Sequence, residues 1–202
     1  MSFPELVYKL ASRYLHYLIF KFLRMKKMDN KEIDICLDDF PDNFIKLIIA
    51  LLNDKDYSEK HNARITLVKK GKDIIPHIHK LLDSENSLLR MEAAKIAELI
   101  ADRKSIPVLI DLLEDTETGI RWIAAEGLIR IGRQSISPLL RSIRNSRHPI
   151  FLYHGAHHVL AGLLHEKERN KFLPLLHSLE NYNQMGENAP IEASKTLKTV
   201  YK

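Results

Sequence analysis

Apolar residues recur through the middle of this chain at spacings of three and four, and the recurrence itself repeats. In residues 89–113, LRMEAAKIAELIADRKSIPVLIDLL, Leu89, Ala93, Ala97 and Ile100 share one helical face, and a second apolar run opens at Pro107. The next stretch repeats the arrangement with Ile120, Ala124, Leu128 and Ile131, followed by Pro138. Ala63, Ala94, Ala125 and Ala156 stand 31 residues apart, as do Pro76, Pro107 and Pro138. Each alanine falls in a first helix, where a short side chain lets a neighbouring helix approach closely. Each proline falls in the first turn of a second helix, where its missing N–H costs nothing. One such helix pair cannot bury its apolar face by itself, so the pairs must stack into an α-solenoid with one continuous core.

The pattern predicts first helices near 59–70, 89–101 and 120–132, and second helices near 74–82, 105–113 and 136–144. Residues 43–52 form a buried-type helix, read as the second helix of a degenerate leading repeat because Ile45 lies 31 residues before Pro76. A fourth unit is expected over 149–180, its second helix opening at Pro174 after a charged insertion at 165–171. Residues 182–189 read as a polar loop. A last helix at 190–200 then places Ala193 where a fifth first helix would start.

Two regions follow: residues 1–40, a capping helix with an acidic loop, and residues 41–202, the repeat array. In the first, Val7, Ala11, Leu18, Phe22 and Met25 share a face opposite Lys9, Arg13, His16 and Lys27. Such a helix covers the open end of a solenoid; a lipid-surface helix or a partner-binding helix has the same pattern. Its longest uncharged run, residues 14–20, is too short to span a bilayer or to form a signal core.

Composition narrows the class. A hydrophobic content of 45% suits amphipathic helices, and a net charge of +5 is too small to imply nucleic acid. The lone Cys36 excludes an internal disulfide framework and a cysteine zinc site, and fits a reducing, cytoplasmic compartment.

The repeated pattern resembles the HEAT-like, armadillo-like repeats of the phycobilisome-lyase type. The matching residues are Arg90 and Arg121 ahead of the pairs Ala93–Ala94 and Ala124–Ala125, the closing Gly132, and the Pro-Leu-Leu at Pro138. The resemblance is strongest over residues 59–144, extends to 200, and is absent before 41. It implies a right-handed superhelix with first helices on the convex side and second helices on the concave side. It also implies that Arg90 and Arg121 brace a turn. It fixes no function, because this repeat serves many roles.

Two activities known on HEAT-like folds are not matched. Deoxyhypusine hydroxylases place His-Glu pairs just before the alanines, where this chain has Met91–Glu92, Trp122–Ile123 and Tyr153–His154. Alkylpurine DNA glycosylases set aromatic and acidic residues on the concave face, whereas Trp122 lies on a first helix and Asp111 has no aromatic beside it. No phosphate loop, nucleophile elbow or paired catalytic carboxylate stands at motif spacing, so neither an enzyme nor a cofactor is expected. His148, His154, His157, His158 and His165 crowd the fourth unit, with His154, His158 and His165 in one stripe. Zinc binding or a pH switch would need a carboxylate on that stripe, and none is there; solvated surface histidines are the expectation.

Two sets of residues are candidates for binding. Met91, Trp122 and Tyr153 occupy equivalent positions and form either interrepeat packing or a partner ridge centred on Trp122. From Arg121 to Arg147 the chain carries six arginines, no lysine and a single acid, Glu126. Arg141 and Arg144 fall on a second helix and Arg147 in the next turn, a local patch for carboxylate or phosphate. Arg141 shares its repeat position with His79, Ile110 and His177, so no full-length basic groove follows. The expected function is a non-catalytic protein–protein interaction module, a scaffold, adaptor or regulator with a protein partner. Nucleic-acid or other polyanion binding through the arginines is the alternative, a membrane partner is not expected, and oligomeric state is left open. If residues 1–40 cap the array, their deletion will expose apolar surface and cause aggregation. A truncated chain that stays monomeric in sedimentation while losing liposome binding would identify a lipid-surface helix instead.

Overall fold

A computed structural model of the chain describes residues 40–52, 56–146, 150–180 and 185–200. The expected N-terminal helix lies outside them. Among the described residues all regular structure is helical. The α-helices are α1 (Asp42–Leu51), α2 (Tyr57–Lys69), α3 (Ile75–Leu82), α4 (Ser87–Ile100), α5 (Ile106–Asp111), α6 (Thr118–Ile131), α7 (Ile136–Asn145), α8 (Ile150–Leu163), α9 (Glu166–Glu180) and α10 (Met185–Val200). The first helices α2, α4, α6 and α8 stack in succession, and each is packed by the second helix that precedes it. The result is an all-α solenoid.

Local chemistry sets the boundaries. Asp56 and Asn86 cap α2 and α4 by accepting from the N–H groups of Glu59 and Leu89. The first helices α4 and α6 end at equivalent residues with positive φ, Ala101 (51°) and Gly132 (90°). At Gly132 ψ is −154°, a region open essentially to glycine. Single 3₁₀ turns, Gly71–Ile74, Arg103–Ser105 and Arg133–Ser135, lead into the second helices, and Pro76, Pro107 and Pro138 sit in their first turns. One departure is α5, which stops at Asp111 and tightens into a 3₁₀ turn at Leu112–Glu114.

The core follows the repeat. Ala63, Ala94, Ala125 and Ala156 are all buried, as are Leu89, Ala93, Ala97, Ile120, Ala124 and Leu128. Contact between α8 and the two units before it is closer still. A Cβ on Gly155 would stand 2.8 Å from a Leu113 methyl, and one on Gly162 would stand 2.9 Å from an Ile129 methyl. At the leading end Phe40 and Phe44 stack at 5.3 Å and both lean on His77.

The last third departs from the expected pattern. Of the residues expected as a charged insertion, 165–171, all but His165 are helical, because α9 already begins at Glu166 and holds Pro174 in its interior. Glu166 and Glu168 favour that start by complementing the helix dipole. The expected loop at 182–189 is likewise shortened, because α10 begins at Met185 and encloses Pro190. Nor does α10 act as a fifth first helix. It packs on α7 and α9 and only marginally on α8, so it closes the second-helix layer instead of extending the first. Ala189, Ala193 and Thr196, one face of α10 at helical spacing, are buried by that wedge.

Ala125 is buried in the core on α6. Ala125→Phe should overpack that core at a cost of about 1–3 kcal/mol and lower the melting midpoint by several degrees. An unchanged midpoint would place Ala125 outside the interhelical seam.

Candidate partner-binding surface

The turn between one unit and the next is held by an arginine. From α4, Arg90 donates through Nη1 to the carbonyls of Ser84 (2.7 Å) and Glu85 (2.8 Å) of its own turn. Through Nε (2.7 Å) and Nη2 (3.2 Å) it grips the carboxylate of Asp115 in the following turn. Asp115 Oδ1 also accepts from the Glu117 N–H at 2.8 Å, at the head of α6. Burial works to raise the Asp115 carboxyl, but the hydrogen bonds from Arg90 and Glu117 outweigh it and hold the group below its usual range. Arg121, one repeat later, braces its own turn in the same way. Its Nη1 donates to the carbonyls of Asp115 (2.6 Å) and Thr116 (3.0 Å), and Nη2 donates to Thr118 Oγ1 at 2.9 Å.

On its other side Arg121 differs from Arg90. The residue 31 places after Asp115 is Ser146, whose hydroxyl lies 2.9 Å from the Ile143 carbonyl and 3.3 Å from the Tyr153 hydroxyl. Among the described residues no carboxylate bonds to Arg121. Its guanidinium instead lies over the Phe151 ring, 4.0 Å from the centroid. Beside this pair Trp122, Ile150 and Phe151 are 58%, 55% and 46% exposed.

Met91, Trp122 and Tyr153 therefore do not form a packing row. Met91 is half-buried, Trp122 is exposed and Tyr153 is buried, drawn inward where its hydroxyl meets Ser146. Trp122 instead lies against His158 of α8, ring centroids 4.5 Å apart and 35° inclined. His158 is not simply solvated: its Nε2 is 2.8 Å from Glu126 Oε1, a carboxylate supplied by α6. His157 Nε2 comes within 2.9 Å of Glu180 Oε1 of α9, an ion-pair distance without hydrogen-bond alignment. Of the expected stripe of His154, His158 and His165, His158 thus meets a carboxylate supplied by α6; α8 itself carries no acid. Among the described residues no group of three His, Cys, Asp or Glu side chains could hold a metal ion.

The remaining arginines divide into tied and untied. Arg130 pairs with Glu98 at 3.0 Å and Arg133 with Glu168 at 2.5 Å, each linking successive units. Hydrogen bonding from Arg133 lowers the Glu168 carboxyl below its usual range. Arg141 and Arg144 are exposed on α7, with only neutral hydrogen-bond acceptors, Ser137 at 3.0 Å and Asn145 at 3.2 Å. Arg147 lies outside the described residues. No Asp or Glu occurs between Glu126 and Glu166, so this part of the molecule is locally basic despite the modest net charge.

The HEAT-repeat family profile matches residues 45–129 and again 75–154, together more than half of the chain. No curated protein gives a match. That span runs from within α1 into α8.

Because the Asp115 carboxyl is held below its unfolded value, its contribution is present above about pH 4. It is lost as pH falls through the lower, folded value. Asp115→Asn should cost about 1.5–3 kcal/mol in urea unfolding at neutral pH. The gap to wild type should close in acid; a gap independent of pH would assign the loss to packing instead.

Proposed function

The chain belongs to the HEAT-repeat family, and on that footing we propose that it is a non-catalytic protein–protein interaction module, a scaffold, adaptor or regulator. Repeats of this family commonly serve as interaction scaffolds. We assign its repeats to the phycobilisome-lyase type, on the arginine before each alanine pair and on Gly132. The proposal extends to a cytoplasmic setting, consistent with the lone Cys36, and to residues 1–40 as the cap of the array over 41–202. Among the described residues no helix is long and apolar enough to cross a membrane.

One observation carries the choice of partner. The third and fourth units expose Trp122, Phe151, Arg141 and Arg144, and no Asp or Glu occurs in the sequence between Glu126 and Glu166. Aromatic residues and arginine dominate the energetics of protein interfaces, and the charge favours an acidic segment. The alternative, nucleic-acid or other polyanion binding, is favoured by Arg141 and Arg144 facing solvent with no acid bonded to them among the described residues. It is weakened because Arg130 and Arg133 are already paired, which leaves few cations to neutralise phosphates.

Titration of labelled acidic peptides and of single- and double-stranded oligonucleotides at two salt concentrations separates these readings. The Arg141→Ala/Arg144→Ala variant is the control. Peptide binding should exceed oligonucleotide binding, and the salt dependence for nucleic acid should be shallow. Tight, salt-sensitive oligonucleotide binding abolished in the variant would establish the polyanion reading. Binding to neither would remove this patch as a functional site.

A further inference from the structure

The two arginine braces are an internal comparison between one repeat and the next. Arg90 satisfies two carbonyls with Nη1 and spends Nε and Nη2 on a carboxylate, Asp115. Arg121 satisfies the equivalent carbonyls with Nη1, but serine stands at the position equivalent to Asp115. The three residues after Ser146 in the sequence, Arg, His and Pro, include no acid. The Arg121 guanidinium carbon lies 4.0 Å from the Phe151 ring centroid; Nη2 donates to Thr118 Oγ1, and among the described residues Nε, which Arg90 turns to Asp115, bonds to no acceptor. A fork of N–H donors backed by an aromatic ring is matched to a planar carboxylate. The same seam between α6 and α8 carries the exposed ring of Trp122 against His158, two turns along α8 from Phe151.

We propose that Arg121 receives a partner's carboxylate in place of the internal acid its repeat lacks, while an adjoining apolar side chain of the partner rests on Trp122 and His158. The occupant is a segment of another protein in which Asp or Glu adjoins a bulky apolar residue. This rests on the interaction-module reading and places its main contact on the first-helix layer, separate from Arg141 and Arg144 on α7. The complementarity comes from the guanidinium itself, to which no carboxylate bonds among the described residues. Nucleic acid fits less well, because a phosphate backbone needs a track of cations and this seam offers one arginine between aromatic rings.

The test uses the full chain and two labelled peptides, one alternating Glu with Leu and Phe, the other with each Glu replaced by Gln. Arg121→Ala would also loosen the turn, so the decisive variant is Ser146→Asp, which supplies the acid that Asp115 supplies to Arg90. It should raise the melting midpoint and weaken the Glu peptide at least tenfold. Trp122→Ala, at an exposed site, should weaken it similarly with no change in midpoint, and the Gln peptide should bind at least tenfold more weakly to wild type. Equal binding of the two peptides overturns the proposal, as does no binding of the Glu peptide at millimolar concentration. Ser146→Asp with undiminished binding, or with no gain in midpoint, overturns it as well. If binding is lost in Arg141→Ala/Arg144→Ala but survives Trp122→Ala and Ser146→Asp, this site falls and the interaction-module reading stands.

Discussion

The close approach of each first helix to the next, through alanine and glycine, is the constraint on which the rest of the structure depends. Ala94, Ala125 and Ala156 are buried at one repeat's spacing, and a Cβ on Gly162 of α8 would stand only 2.9 Å from an Ile129 methyl of α6. Such packing tolerates little change in side-chain volume. It also fixes the distance between equivalent turns, which brings polar groups of successive units within bonding reach. Arg64 meets Glu92 at 2.7 Å, Arg90 meets Asp115 at 2.7 Å and His158 meets Glu126 at 2.8 Å, each across a repeat boundary. Glu114, in the 3₁₀ turn after α5, accepts from the Leu152 N–H at the head of α8 and so reaches past the intervening unit. The apolar seam sets the geometry, and these links sit on it.

Much of this architecture was legible in the residues because the signals are local and repeated. Alanine at a fixed interval marks where helices touch, and proline marks where a second helix begins at Pro76, Pro107 and Pro138. The same rule failed at Pro174 and Pro190, which lie within helices. An interior proline removes a single backbone bond, and the residues before Pro174 favour helix strongly enough to continue through it. The seat of α10 on α7 had no local signal, since it depends on what surface the preceding helices leave open. Equivalence in the repeat also proved to be equivalence of place and not of burial. Trp122 and Tyr153 share a register position, yet one faces solvent and the other is buried beside Ser146.

The candidate site is legible only as a departure from the repeat. Six arginines between Arg121 and Arg147 suggested a patch on the second helices, but Arg130 and Arg133 are committed to Glu98 and Glu168. What distinguishes Arg121 is the serine that stands where the preceding unit has Asp115, a difference visible only once Arg90 is seen to use that acid. Natural chains break a local rule most often where function requires it. Here the break coincides with exposed aromatic side chains and with the acid-free stretch.

The arginine Nε–H resonances report this asymmetry directly. Hydrogen exchange at these groups, followed by nitrogen-resolved NMR on the isolated chain and again with the Glu-containing peptide, compares Arg90 with Arg121 in one sample. The account predicts a protected Nε–H on Arg90 in both states, and on Arg121 rapid exchange that slows and shifts as peptide saturates. Protection of Arg121 equal to that of Arg90 in the isolated chain would mean that its edge is already occupied, and the account would be contradicted.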